Sequence, residues 1–402
     1  MARDLTSGSF GDDVRFLQER LNESPPTALA PLLIDGDFGP VTLARVEEYQ
    51  TNTSLPVDGL VGPVTWRELL GRPVATTTGF FVLGRDLYDR QGTKILLRGV
   101  NKMSVFEYDG AQGEKSFPAI KETGANSVRI VWRTRTDVEP DGTKPVRLDA
   151  LVTNAKKNHL IPMVELHDAT GNWARLGEVV DYWLRPDVLP ILVKHGEYLL
   201  LNIGNEVGDH KVTPSDFIAG YTHAVKRLRT AGVHTPLVID AANWGKNLTL
   251  LNSTAANLLT ADPEGNLVFS VHPYWSKLCG YDSTRISSEL KSAAALGYPL
   301  IIGEFSRWGA WPECAPDPKK ESICGKYGEV DYQAILATCH ELQIGWYAWE
   351  WGPGNAYDEP DCEVMDMTTD QTFAGLKPGW ATEVAITSPF GIQKTSITPS
   401  WI

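Results

Sequence analysis

From Ile95 onward the chain alternates short, β-rich apolar runs with longer stretches of helical periodicity, and it does so eight times. The runs are Ile95–Asn101, Ser127–Trp132, Leu160–His167, Leu199–Glu206, Leu237–Asn243, Val268–Tyr274, Leu300–Phe305 and Gly345–Trp351. Eight strands that each hand over to a helix predict an α/β fold, a closed (β/α)8 barrel. An open, doubly wound sheet is the structural rival. It is weakened because no G-x-G-x-x-G or Walker loop follows any of the runs.

A barrel does not use up 402 residues, since roughly 250 suffice for one. The remainder begins with a short repeat: Ile34-Asp35-Gly36-Asp37-Phe38-Gly39-Pro40-Val41-Thr42 is echoed by Val57-Asp58-Gly59-Leu60-Val61-Gly62-Pro63-Val64-Thr65. Each copy is an Asp-Gly turn, a Gly-Pro step and a Thr that can open a helix. Leu43, Val46 and Tyr49 follow the first copy, and Trp66, Leu69 and Leu70 follow the second. An earlier helix over Asp12–Asn22 lines up Val14, Leu17 and Leu21. These three helices predict a small all-α bundle near the lower size limit for independent folding. The pattern over residues 8–71, including Leu17-Gln18 and Leu21-Asn22, resembles the bacterial peptidoglycan-binding domain type 1, which implies a cell-wall ligand. Arg72–Gly79, with Pro73 and Thr76 to Thr78, reads as a linker. Phe80–Asp89 and Lys94–Val100 then flank Arg90-Gln91-Gly92 as a hairpin that opens the barrel unit. The expected units are therefore residues 1–71, a linker over 72–79 and a barrel over 80–402, with the small unit separable from the large one.

Charge narrows the partners. Lys plus Arg number 37 and Asp plus Glu 50, a net charge of −13 without a basic run, so nucleic acid and anionic membrane surfaces are excluded as partners. No apolar run reaches the ~20 residues that span a bilayer. Met1 to Phe10 lacks the layout of a secretory signal, so localisation is argued from domain content.

In a barrel of this kind the active site lies where the strands end. Those ends supply Asn101, Arg129, His167-Asp168, Asn205-Glu206, Asn243-Trp244, His272 with Tyr274-Trp275, Glu304, and Trp349 to Trp351. Glu206 closes the fourth run and Glu304 the seventh, which places two carboxylates across the mouth. Glycoside hydrolysis needs such a pair, one as proton donor to the leaving oxygen and one on the far side of the anomeric carbon. Arg129 is placed to keep one of them ionised. Of 13 tryptophans, eight fall at or just beyond strand ends, namely Trp132, Trp173, Trp244, Trp275, Trp308, Trp311, Trp349 and Trp351. Indole faces interleaved with polar groups suit the C–H faces and hydroxyls of a polysaccharide. No H-E-x-x-H, C-x-x-C or G-x-S-x-G appears, so neither a metal nor any other cofactor is expected.

Asn205-Glu206, Gly303-Glu304-Phe305, Asn126-Ser127-Val128-Arg129, His167 and His272-Pro273-Tyr274 together resemble glycoside hydrolase family 5, a group of retaining β-glycanases. The resemblance implies Glu206 as acid/base and Glu304 as nucleophile. It also implies Arg129 and Tyr274 as partners of the nucleophile, Asn205 at the sugar 2-hydroxyl, His167 and His272 around subsite −1, and Trp349 as its floor. Trp244 lies in one of five stretches similar to bacterial endo-β-1,4-mannanases: His167–Gly171, Asp181–Trp183, Asn202–Glu206, Asp240–Gly245 and Gly345–Trp349. Val207 and Glu350 depart from that pattern, which usually has an aromatic residue or Pro and a Ser at these places. Strand alternation puts Glu350 on the side away from Trp349 and the cleft, with Trp351 on the cleft side. Mannan therefore stands ahead of glucan and chitosan as substrate. A non-catalytic wall-binding protein and a peptidoglycan hydrolase are the readings from other classes.

All five cysteines fall between Cys279 and Cys362. Four lie in loops and allow three pairings; Cys314 with Cys324 closes the shortest loop, leaving Cys279 with Cys362 by elimination. Disulfides together with a wall-binding module predict an extracellular or wall-associated protein. A monomer is expected.

Overall fold

The computed structural model describes residues 4–24, 28–71, 79–104, 113–134, 144–309, 328–355 and 360–399. Three helices open the chain: α1 (Asp12–Glu23), α2 (Pro40–Asn52) and α3 (Pro63–Leu69). Both α2 and α3 begin at the proline of the repeat, where a missing N–H costs nothing. A buried glutamine explains the rest of the repeat. Gln18 Nε2 donates to Asp35 Oδ1 at 2.8 Å and its Oε1 accepts from the Gly36 N–H at 2.9 Å. Gln50 does the same one copy later, with Asp58 Oδ1 at 2.7 Å and the Gly59 N–H at 3.0 Å. Each Asp-Gly turn is thus stapled to the preceding helix by one amide, which is why Asp, Gly and Thr recur at fixed spacing.

The hairpin forms as β1 (Phe81–Leu83) against β2 (Asp86–Tyr88), and β2 pairs in turn with β3 (Lys94–Ile95). Eight parallel strands follow: β4 (Arg98–Lys102), β5 (Ser127–Trp132), β6 (Ile161–Leu166), β7 (Leu200–Asn202), β8 (Leu237–Asp240), β9 (Leu267–Val271), β10 (Leu300–Ile302) and β11 (Gly345–Ala348). They close into a barrel in chain order, β11 pairing with β4. The (β/α)8 expectation is met strand for strand. Helices α4 (Ser116–Glu122), α5 (Lys144–Lys157), α6 (Leu176–Trp183), α7 (Leu189–His195), α8 (Pro214–Thr230), α9 (Leu248–Ala261), α10 (Ser283–Ala295) and α11 (Tyr332–Leu342) lie between successive strands. Side-chain caps at Thr213, Asn247, Asp282 and Asp331 start four of them. Among the described residues, no helix is long and apolar enough to cross a membrane.

The two units are not loosely joined. Phe80, just before β1, and Val82 within it pack with the barrel core, while the alternate residues Phe81 and Leu83 pack with Leu5, Trp66 and Leu69 of the small bundle. Arg67 seals the seam: one guanidinium nitrogen donates to the Val82 carbonyl at 2.8 Å, another to the Glu264 carbonyl at 3.0 Å, and the group lies over the Phe81 ring. Glu264 lies just before β9 and Asn266, which accepts the Val82 N–H at 3.0 Å, immediately precedes it, so the bundle sits at the amino ends of the barrel strands. The Thr-rich stretch suggested separability, but a strand that is apolar on both faces has a partner on each.

Cys279 and Cys362 are each in a disulfide, and Cys339 is a buried free thiol in α11. Cys314 and Cys324, whose mutual pairing was expected, lie outside the described residues.

Replacing Arg67 with Ala leaves two carbonyls without their donor and is expected to cost about 1–3 kcal/mol. Scanning calorimetry should then resolve a separate, earlier transition for the small bundle. A thermogram identical to that of the unaltered chain would contradict the seam described above.

Candidate active site

Arg129 enters the barrel from β5 and is fully buried. Its Nη1 donates to Asn101 Oδ1 at 2.9 Å and to Glu304 Oε1 at 2.8 Å. Nη2 donates to Asn202 Oδ1 at 2.8 Å and Asn205 Oδ1 at 2.6 Å, with Asp240 Oδ2 at 3.4 Å. Glu165 Oε1 lies 3.7 Å from Nη1. A buried cation is tolerated only when paired and hydrogen-bonded. Here burial alone would lower its pKa, but Glu165, Glu304 and Asp240 together raise it, so it stays charged.

Glu304 follows β10, and both of its oxygens are occupied by donors. Oε1 takes Arg129, and Oε2 takes the Tyr274 hydroxyl at 2.9 Å. Burial raises the Glu304 pKa, while His272 and Arg129 pull it back. Two donors serve the anion, not the acid, so the carboxylate form is the one this arrangement fits. The Tyr274 hydroxyl is held protonated, first by burial and then by the neighbouring Glu304 charge.

Glu206 sits beyond the end of β7 with a backbone φ of 47°. That left-handed conformation is costly for a non-glycine residue, of order 1–3 kcal/mol, and is typical of sites where a side chain must be aimed. Its N–H is held by Asp240 Oδ2 at 3.1 Å and its carbonyl by the Gly171 N–H at 2.9 Å. Glu206 Oε1 is 2.7 Å from His272 Nδ1, and the same nitrogen is 3.6 Å from Glu304 Oε1. The imidazole therefore stands between the two carboxylates, with its Nε2 3.6 Å from Asp240 Oδ1. Burial would make His272 less basic, but Glu304 and Asp240 outweigh it and push the pKa up to about 10. Asp240 is drawn down to about 2, burial being outweighed chiefly by His272 and Arg129. At neutral pH the Glu206–His272 pair thus holds a proton. Glycines make room for the ring: a Cβ on Gly303 would come within 2.4 Å of its Nε2, and one on Gly245 within 2.6 Å of its Cγ.

An oxygen of Glu206, one of Glu304 and a ring nitrogen of His272 lie within 4.8 Å of one another. Such a trio can ligate a metal, but both Glu304 oxygens are already taken by Arg129 and Tyr274, and His272 bonds Glu206.

The remaining expected residues converge on the same mouth. His167 Nδ1 pairs with Glu165 Oε1 at 2.9 Å, and its ring stacks on Trp349 with centroids 5.5 Å apart and planes 14° from parallel. Asn205 donates to Thr170 Oγ1 at 2.8 Å, which fixes its amide. Trp244 is 42% exposed, an indole laid against Gly171 at the rim. A cleft continues from Tyr274 along Asn243, Trp275, Tyr281 and Arg285.

Some expectations need correction. Trp132 and Trp351 are fully buried, bonded to the Tyr182 hydroxyl and the Gln371 carbonyl, so they are core rather than cleft. Strand β11 ends at Ala348, so alternation does not extend to residue 351. Trp173 packs on Phe217 and Tyr221 of α8. Trp311 lies outside the described residues. Glu350 and Val207 are both fully buried. Reasoning from strand ends missed Glu165, Asn202 and Asp240, polar residues inside apolar runs whose only signal is that interruption.

Comparison with known proteins places this geometry. Residues 88–355 match the family described as cellulase (glycosyl hydrolase family 5), and residues 10–69 match a peptidoglycan binding domain family. The mannan endo-1,4-beta-mannosidase of Salipaludibacillus agaradhaerens is 30% identical over 79% of this chain and 94% of its own length. The mannohexaose complex of Thermomonospora fusca beta-mannanase superposes with a TM-score of 0.66, at 30% identity over 80% of this chain and 98% of that one. The zinc D-Ala-D-Ala carboxypeptidase of Streptomyces albus G is 45% identical over 65 residues, 16% of this chain and 25% of its own.

Removing the central guanidinium by Arg129→Leu strands Glu304, Asp240 and Glu165 as uncompensated buried charges. Denaturant titration is expected to show a loss of about 3–5 kcal/mol. A loss below 1 kcal/mol would mean that the carboxylates had neutralised without cost.

Proposed function

The chain belongs to glycosyl hydrolase family 5, and on that premise we propose that it is a retaining endo-β-1,4-mannanase with Glu304 as nucleophile and Glu206 as acid and base. The observation that carries the mechanism is the separation of the two carboxylates. An oxygen of each lies within 4.8 Å of one of the other, which favours the close spacing of retaining carboxyl groups, ~5–5.5 Å, over the ~6.5 Å or more of inverting ones.

In the first step Glu304, aligned by Arg129 and Tyr274, attacks the anomeric carbon while the Glu206–His272 pair delivers its proton to the leaving oxygen. A glycosyl ester forms on Glu304. Glu206, now a carboxylate, takes a proton from water, which attacks the same carbon from the opposite side of the ester and frees Glu304. Two inversions give net retention. Asn205 is placed to bind the 2-hydroxyl of the sugar undergoing reaction, His167 and His272 wall the subsite, Trp349 forms its floor, and the rim indole of Trp244 meets a sugar further along the chain.

Mannan as the substrate is supported by the names of the relatives that align over most of the chain. The small bundle supports cell-wall association, and the two bonded cysteines support an extracellular setting. The unit is proposed to act as a monomer, outside any membrane.

Four outcomes test this reading. Glu304→Ala and Glu206→Ala should each lower kcat by at least about 1,000-fold on polymeric mannan; only Glu206→Ala, on a substrate with a good leaving group, should be rescued by azide to give a retained β-glycosyl azide. Nuclear magnetic resonance of fresh product should show the retained anomer. A panel of glucomannan, galactomannan, carboxymethyl cellulose, chitosan and purified walls should give the highest kcat/KM on the mannans; a preference for chitosan or walls would reverse the substrate assignment. Because burial lifts Glu304, the acid limb of kcat/KM should lie above the ordinary carboxylate range, activity falling as Glu304 takes up a proton.

A further inference from the structure

Behind Trp349 lies a group of polar side chains that the double displacement does not use. The indole N–H donates to Asn355 Oδ1 at 2.8 Å. The other end of that amide, Nδ2, donates to Asp366 Oδ1 at 2.7 Å and faces Glu350 Oε1 at 3.3 Å. Asp366 Oδ1 also accepts the Asn355 backbone N–H at 3.1 Å, and Glu350 Oε2 accepts the Met103 N–H at 3.2 Å. Glu350 and Asp366 are both 0% exposed, and Asp366 Oδ2 has no hydrogen-bond partner.

Two buried carboxylates around one amide are costly unless they accomplish something. What they accomplish is orientation. An amide has a donor end and an acceptor end, and only the donor end can face carboxylate oxygens. With Nδ2 committed to Asp366 and Glu350, Oδ1 must face the indole N–H, and the amide cannot flip. We propose that Glu350, Asn355 and Asp366 are positioning residues: the two carboxylates fix the amide of Asn355, and its carbonyl holds the Trp349 indole flat under the sugar at the bond being cut. This rests on the glycanase reading of the same mouth.

The arrangement also has a preferred protonation state. Glu350 is raised to about 8, chiefly by burial, with the buried Lys102 of β4 pulling it back, Asp366 adding to the rise, and the Met103 N–H and His167 across the indole opposing it more weakly. Burial raises Asp366 as well. Below that pH Glu350 is neutral and tolerates its neighbour. Above it a second negative charge stands beside Asp366, and the amide clamp loosens.

The test is a double-mutant cycle on soluble β-1,4-mannopentaose. Asn355→Ala should lower kcat/KM at least tenfold, mainly through kcat, because a tilted floor disfavours the distorted sugar of the transition state. In the Trp349→Phe background, which has no indole N–H to hold, the same change should cost less than twofold. Equal losses in both backgrounds overturn the proposal. Glu350→Gln cannot ionise and has one acceptor oxygen in place of two, so it should lower kcat overall yet carry its alkaline limb to higher pH; an unmoved limb also overturns the proposal, and this readout stands even if Asn355→Ala does not fold. If the unaltered chain turns over no β-glycan, the glycanase reading fails and this inference with it; turnover with equal losses sinks this inference alone.

Discussion

The mouth of the barrel is organised around one guanidinium. Arg129 is planar, permanently charged and fork-shaped, and it meets acceptors from β4, β7, β8 and the loops after β7 and β10 at once. Each of those acceptors would be unfavourable in a closed barrel by itself. With the cation at their centre, Glu304 is aimed and its ionised form favoured, Asn205 has one end of its amide fixed, and Asp240 is free to hold both the Glu206 backbone and the charge on His272. Lysine could supply the charge but not the planar set of donors. Glu304 and Glu206 are thus positioned by a group that stands behind both carboxylates.

Much of this was legible in the sequence because strands announce themselves by apolar runs, and a barrel puts its chemistry where those runs end. Glu206, Glu304, His272 and Tyr274 were found that way. Strand limits were less legible. The run Leu199–Glu206 reads as one strand, but β7 stops at Asn202, since Glu206 at φ 47° lies outside any extended backbone. Glu165, Asn202 and Asp240 were not found because an inward-facing polar residue becomes meaningful only when the sheet closes and a cation arrives at its centre. Trp132 and Trp351 were misread for the converse reason. A tryptophan at a strand end looks the same whether it meets a sugar or, as here, a tyrosine hydroxyl or a backbone carbonyl.

The repeat in the small bundle was read as turn, step and helix start, which it is, but its spacing has a cause the pattern does not display. Gln18 and Gln50 read the turns from the preceding helices. The docking of the two units was hidden behind a polar linker, although β1 and the residue before it carried the sign: Phe80, Phe81, Val82 and Leu83 leave neither side of a short strand polar.

That docking sets a direction. Arg67 and β1 bind the bundle to the amino ends of the strands, and the reacting groups lie beyond their carboxyl ends. The axis of the barrel therefore runs from one to the other. Were the bundle to hold the chain to a surface through its side away from the barrel, the open pole would face outward, toward polymer arriving from the surroundings. Attachment by the bundle and reaction at the mouth would then be kept apart by the thickness of the barrel, not by the length of a tether.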